Sequence, residues 1–351
     1  MSPADLDVRI AAARETLGER LMILGHHYQR DEVIKFADVR GDSYKLSQLA
    51  AERKEAEYIV FCGVHFMAES ADILSGNHQT VILPNMAAGC SMADMAGIDD
   101  VMDCWDQLAE SLGPNHGVVP VTYMNSAAAL KAFCGKNGGI VCTSSNAKAV
   151  LAWALERGKR VLFCPDQHLG RNTALGMGYQ LSDTVLWTPT KELGGNTEEA
   201  IRNSTFILWR GHCSVHGRFK PEQIEAAREK YPDVNVVVHP ECQKEVVELA
   251  DLAGSTEYII KVVSEAPAGT TWAVGTEINL VNRLQKEYSD KTIFCLDPVI
   301  CPCSTMYRIH PAYLAWALDN LVEGNVVNQI KVDEEVAKWA RIALDRMLAV
   351  H

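Results

Sequence analysis

Of the eleven cysteines in the chain, five sit in segments that read as loops. Cys90 follows Met86-Ala87-Ala88-Gly89, Cys213 follows Trp209-Arg210-Gly211-His212, and Cys295, Cys301 and Cys303 cluster near residue 300. None falls in the paired Cys-x-x-Cys arrangement of a structural zinc site. Three isolated thiolates, Cys90, Cys213 and Cys303, could bind three irons of a [4Fe–4S] cluster. The fourth iron would stay open as a Lewis acid for a hydroxyl or carboxylate oxygen. Spacing alone also allows unrelated free cysteines. Others, such as Cys62, Cys142 and Cys164, lie in apolar runs and behave as small core residues.

A second group of residues could move protons. In His239-Pro240-Glu241-Cys242 the imidazole and carboxylate are two apart at a strand end and point roughly the same way. That pairing suits general acid–base work or ligand binding, and a polar cap on the strand is the alternative. Gly25-His26-His27-Tyr28 ends an earlier strand, either as an aromatic cap on the core or as part of a site. Gly41-Asp42-Ser43, Thr143-Ser144-Ser145-Asn146 and Gly254-Ser255-Thr256-Glu257 place small hydroxyl residues at turns, where they satisfy backbone groups or receive an anion.

The elements that must position these residues are short apolar runs alternating with helical patterns. Strands are expected at 20–25, 57–63 and 80–83, then at 117–122, 139–143, 160–164 and 184–187. The last set is 204–209, 235–239, 257–263, 272–275 and 292–296. Most are apolar throughout, as strands buried on both faces of a parallel sheet are. Helices at 43–53, 147–157, 221–230 and 244–253 give a βαβ rhythm and an α/β class. The strands fall into three groups opening near 20, 117 and 204, and each group ends its first two strands in polar motifs. This reads as a weak threefold repeat whose strand ends would pool in one site.

The 351 residues are 48% apolar, enough for a large core, and carry a formal net charge of −12. That balance argues against nucleic acid or an anionic membrane as partner, since either needs a basic face. Residues 2–20 read as an amphipathic helix rather than a signal peptide, and no run is long enough to span a membrane, so a cytoplasmic location is expected.

Taken together, the segments resemble the quinolinate synthase family, A-type, of bacterial NAD biosynthesis. The matching motifs run from Gly25-His26-His27-Tyr28-Gln29 and Gly41-Asp42-Ser43 through Pro84-Asn85-Met86 leading to Cys90, Tyr123-Met124-Asn125-Ser126 and Thr143-Ser144-Ser145-Asn146. They continue with Pro165-Asp166-Gln167-His168-Leu169-Gly170, Trp209 to His216, His239-Pro240-Glu241-Cys242 and Gly254-Ser255-Thr256. The resemblance implies three similar three-layer α/β domains with parallel sheets around a pseudo-threefold axis and a central active site. These would span 1–105, 106–196 and 197–306, and the helices of 307–351 could attach to the first.

It further implies one [4Fe–4S] cluster held by Cys90, Cys213 and Cys303, with the open iron as Lewis acid. The reaction implied condenses iminoaspartate with dihydroxyacetone phosphate to quinolinate, with loss of phosphate and water. L-aspartate oxidase or an aspartate dehydrogenase would be the pathway partner, and a homodimer is left open. The substrate carboxylates would meet His26, Ser43, Tyr123, Asn125, Ser144, His239, Ser255 and Thr256, with Met124, Pro240 and Glu241 beside them. Acid–base work would fall to Glu241 and Tyr28, supported by His239 and His216. The chain departs from the family's pattern at His27, where many members have Asn, and at Cys301, which gives Cys303 a close neighbour. Rival readings are another three-cysteine iron–sulfur enzyme (diphthamide-type or a diphosphate reductase), a non-catalytic iron–sulfur sensor, and a zinc enzyme built on His26, His239 and Glu241.

Overall fold

The apolar runs form strands covered on both faces. Leu21–His26 (β1) is buried along its whole length and lies beside Val39–Gly41 (β2), Tyr58–Cys62 (β3) and Thr80–Ile82 (β4) in the parallel order β4-β3-β1-β2. Val118–Tyr123 (β5), Ile140–Cys142 (β6), Arg160–Cys164 (β7), Thr184–Trp187 (β8) and Phe206–Trp209 (β9) form a second parallel sheet, ordered β6-β5-β7-β9-β8. Asn235–Val238 (β10), Leu252–Ala253 (β11), Thr271–Gly275 (β12) and Thr292–Cys295 (β13) form a third, ordered β11-β10-β12-β13. Gln329–Ile330 (β14) returns to the first sheet, antiparallel to β4. The α/β class built on parallel sheets, expected from the sequence, is the one adopted. The computed structural model describes residues 2–52, 55–299 and 301–350.

The fold has two compact units. The first contains the chain up to Cys90, Glu277–Glu287 and Val299–Asp333; the second contains Ser91–Thr276, Tyr288–Pro298 and the chain from Glu334. The first sheet lies in the first unit, and the other two sheets lie in the second. Among the described residues no helix is long and apolar enough to cross a membrane.

Two readings of the sequence are corrected. The strand expected at 204–209 to open a third group is hydrogen-bonded between β7 and β8 in the second sheet. The segment 257–263, expected as a strand, is part of a helix, Thr256–Glu265. Its β-branched composition favours a strand, but two local facts outweigh it. Ser255 caps the helix by accepting from the Tyr258 N–H at 3.3 Å. The buried residues Thr256, Ile259 and Val263 recur at helical spacing, so only a helix gives them one common face. The helix expected at 43–53 is Ser43–Glu52; Arg53 lies outside the described residues.

In the second unit the helix Glu334–Leu348 packs on the helix Ala128–Lys136. The approach is close at Gly135, where a Cβ would sit 1.9 Å from the Trp339 carbonyl oxygen. Arg346 then donates to the Gly139 carbonyl at 2.6 Å, which holds the end of the helix in place. Because backbone cannot yield as a flexible side chain can, Gly135→Ala should cost about 1–3 kcal/mol or more of stability. The expected readout is a lower thermal midpoint with faster amide exchange across Glu334–Leu348 than in the wild type. Unchanged exchange would contradict the packing.

Candidate active site

At the end of β10, His239 to Cys242 form a turn closed by the Cys242 N–H on the His239 carbonyl, at 3.0 Å. The Glu241 N–H donates to His239 Nδ1 at 3.3 Å. The first unit repeats this device at the end of β1, where the Tyr28 N–H donates to His26 Nδ1 at 3.1 Å. A ring nitrogen that accepts leaves Nε2 as the donor of a neutral imidazole. Each histidine therefore fixes its own turn and presents one N–H.

Glu241 is 2% exposed, yet both of its carboxylate oxygens are satisfied. The Tyr123 hydroxyl, from the end of β5, donates to Oε1 at 2.6 Å. His216 Nδ1 lies 2.8 Å from Oε2, and because a carboxylate only accepts, that nitrogen carries the proton. His216 Nε2 is 3.2 Å from the Thr276 hydroxyl. The rings of His216 and His239 stack with centroids 4.4 Å apart. Burial alone would push the Glu241 carboxyl up, but the imidazoles of His216 and His239 and the hydrogen bonds from His216 and Tyr123 outweigh it and bring it down to about 2. Glu241 is therefore ionised at neutral pH. His239 is brought down to about 3, first by burial and then by His216, and is neutral.

A second carboxyl lies close by and behaves in the opposite way. Asp166 is fully buried, and burial followed by the charge of Glu241 pushes it well above the ordinary carboxyl range. Its Oδ1 caps the helix Gln167–Gly176 by accepting from His168 and Leu169, at 2.7 and 2.8 Å, while Oδ2 is buried with no hydrogen-bond partner. Asn172 of that helix was not singled out by the sequence. Its Nδ2 donates to the carbonyls of Pro240 and Cys242, each at 2.8 Å, and so holds the Glu241 turn. The same helix start approaches the Cys213 loop at Gly211, where a Cβ would meet the Pro165 carbonyl at 2.3 Å. Cys213, His216 and Glu241 present donor atoms within 4.8 Å of one another, a trio that could hold a metal ion. It differs from the trio of His26, His239 and Glu241.

The remaining expected residues fall into the two units as follows. In the second unit Met124, Ser255 and Thr256 are buried and Asn125, Ser144 and Pro240 half-buried; Asn125 Oδ1 has no hydrogen-bond partner. Ser255 acts as a helix cap. In the first unit His26 is buried, its ring edge-on to Tyr28 at 4.7 Å. Asp42 supplies the cap to the helix Ser43–Glu52, accepting from the Lys45 N–H at 3.0 Å, and Ser43 is half-buried in its first turn. Cys90 and Cys303 also belong to this unit, whereas Cys213 belongs to the second. The Cys303 N–H donates to Glu277 Oε1 at 3.1 Å, and burial pushes the Glu277 carboxyl up to about 7 against the opposing hydrogen bonds from Cys303 and Asn279.

The cysteines divide by burial. Cys62, Cys104, Cys134, Cys142, Cys164 and Cys242 are buried, and burial raises all six thiols, Cys62 to about 12. These stay protonated and inert. Cys90, Cys213, Cys295 and Cys303 are half-buried and Cys301 is exposed. The soft donors open to a metal are thus the five that the sequence placed in loops.

A family model described as quinolinate synthetase A protein matches residues 8–182 and 176–349 of this chain. A quinolinate synthase of Corynebacterium glutamicum is 63% identical over 349 residues, covering 99% of this chain and 88% of that protein. One from Streptomyces coelicolor is 58% identical over 354 residues, covering 99% and 90%. One from Geobacillus kaustophilus is 53% identical over 350 residues, covering 100% and 95%.

A neutral buried histidine couples stability to pH. The unfolded chain protonates His239 near pH ~6.5, whereas the folded protein holds its pKa near 3, so the unfolded state binds more protons in between. Stability is therefore lost as pH falls below about 6.5, by up to ~1.4 kcal/mol per pH unit from this group. His239→Gln should shrink the loss of urea-unfolding free energy between about pH 7 and about pH 5. An equal loss in both proteins would show that His239 is not held neutral.

Proposed function

The chain belongs to the quinolinate synthetase A protein family, and on that premise we propose that it condenses iminoaspartate with dihydroxyacetone phosphate to quinolinate, releasing phosphate and water. The observation that carries the reading is the ionised Glu241 held between Tyr123 and His216, beside a neutral His239. Condensation, imine–enamine conversion and aromatisation all move protons on and off carbon, nitrogen and oxygen, and each needs a positioned group that accepts and then donates. Glu241 is that group. In the resting protein it is a weak base, but substrate carboxylates brought beside it would raise its proton affinity. His216 keeps its Nδ1 proton aimed at the carboxylate and thereby orients it. Tyr28, fixed by the His26 turn in the first unit, is the second proton carrier.

Binding falls to the N–H and hydroxyl donors. The Nε2 protons of His26 and His239, the hydroxyls of Ser43, Tyr123, Ser144, Ser255 and Thr256, and the amide of Asn125 hold the substrate carboxylates. Met124 and Pro240 shape the turns that carry them. Such neutral donors suit an anionic substrate in a chain whose net charge is −12.

A [4Fe–4S] cluster on Cys90, Cys213 and Cys303 is part of the same proposal. The donor set fits it: these are soft thiols, half-buried, in a chain whose other accessible cysteines are Cys295, at the end of β13, and the exposed Cys301. A cluster held by three thiolates keeps one iron free of cysteine, and that iron supplies a Lewis acid able to take a hydroxyl. The reading places the protein in the cytoplasm, supplied with iminoaspartate by L-aspartate oxidase or an aspartate dehydrogenase.

Four variants test these roles. Glu241→Gln is nearly isosteric, so it should keep the fold, iron content and quinolinate binding while turnover falls about 10²-fold or more. Wild-type turnover in that variant would remove Glu241 from the proton path. Cys213→Ala should lose both iron and brown colour after anaerobic purification, and a fully loaded protein would sink the ligand assignment. Cys303→Ser should lose the cluster and Cys301→Ser keep it; the reverse would move the ligand to Cys301.

A further inference from the structure

The backbone carbonyls of the loop that follows His26 are held by one helix of the same unit, Ile278–Glu287. Three successive peptide carbonyls of the loop accept from its side chains. Arg283 Nη1 donates to the His27 carbonyl at 2.9 Å and Nη2 to the Gln29 carbonyl at 2.6 Å. Asn279 Nδ2 takes the Tyr28 carbonyl between them, at 3.3 Å. Arg283 Nε completes its set on Asp31 Oδ1 at 3.1 Å. Fixing three consecutive carbonyls fixes three peptide planes. The two on either side of Tyr28 set the direction in which its side chain leaves the backbone, and the plane of the His27 carbonyl also carries the Tyr28 N–H that donates to His26 Nδ1 at 3.1 Å.

The same helix start also reaches the cysteine segment. Glu277, just before the first turn, accepts from the Cys303 N–H at 3.1 Å and from Asn279 Nδ2 at 2.9 Å. Glu277, Asn279 and Arg283 thus link the His26–Tyr28 loop to the Cys303 segment. Arg283 is 6% exposed. Packing alone would be met there by an apolar side chain, since arginine is seldom so buried without a partner that needs it. Here the need is geometric. Two parallel N–H groups of a planar fork match carbonyls two residues apart, and the point charge of a lysine cannot satisfy both.

We propose that Arg283 is a positioning residue for Tyr28 and His26, orienting both toward the substrate through the carbonyls of His27 and Gln29. The proposal rests on the quinolinate synthase reading, and the experiment separates the two. Full-length wild type, Arg283→Lys and Arg283→Ala are purified and reconstituted anaerobically. Iron content, far-UV circular dichroism, kcat and the KM for dihydroxyacetone phosphate are measured together. Both variants should keep their helical signal and iron, since Glu277 still holds Cys303. Their kcat should fall about 10- to 100-fold, the scale of an ångström-level misplacement, with a smaller change in KM. Added guanidinium should restore part of the Arg283→Ala turnover and none of the Arg283→Lys turnover, and sodium chloride at matched ionic strength should restore neither. Turnover within about twofold of wild type in both variants overturns the proposal. So does loss of helical signal or iron in both, which would make Arg283 a scaffold residue, and so does absence of guanidinium rescue. If the wild type itself makes no quinolinate, the reaction reading fails and this proposal with it; variants that match an active wild type sink this proposal alone.

Discussion

The second unit is organised around the buried negative charge of Glu241. An ionised carboxylate taken out of water costs several kcal/mol unless hydrogen bonds and opposite charge replace the lost solvent. Glu241 receives a hydroxyl from the end of β5, an imidazole N–H from the segment after β9 and the neighbouring ring of His239. These groups come from two different sheets. Glu241 is stable as an anion only when the carboxyl ends of β5, β9 and β10 are brought together, so the charge and the packing of the second unit support each other. Removing either donor would leave the carboxylate partly bare.

Asp166 extends the same logic. Two buried carboxyls in one neighbourhood cannot both ionise cheaply, and the environment resolves the conflict by pushing them apart. Glu241, with donors on both oxygens, takes the charge. Asp166 keeps one oxygen on two backbone N–H groups, leaves the other without a partner and favours its proton. A neutral His239 stacked on His216 completes the site. The first unit uses different means for a related end. Carbonyl after carbonyl of the His26–Tyr28 loop is anchored by Arg283 and Asn279, so that precision comes from hydrogen-bonded backbone rather than from charge.

Much of the fold was legible because its strands are buried on both faces. Runs such as Leu21–Met22–Ile23–Leu24 or Val236–Val237–Val238 have few alternatives. Residues 257–263 are the exception: a β-branched run says strand, and only the Ser255 cap and the spacing of Ile259 and Val263 say helix. The placement of β9 within the second sheet was not legible at all, since pairing partners are a matter of tertiary contact. For the site, the His239–Glu241 spacing showed that two groups share a strand end. It left open whether burial or the imidazole decides the state of the carboxylate, because the answer depends on Tyr123 and His216, which lie 118 and 25 residues from Glu241 in the sequence. Asn172 and Arg283 carried no local signal. Each acts on backbone carbonyls, and a carbonyl has no residue type to read.

The arrangement of the second unit depends most on the ionised state of Glu241. Infrared difference spectra between wild type and Glu241→Gln at neutral pH measure it directly. The substitution should remove a carboxylate stretching band and leave the protonated carboxyl region unchanged. Loss of a protonated carboxyl band instead would show that Glu241 is held as an acid, and the hydrogen bonds from Tyr123 and His216 would then require a different reading.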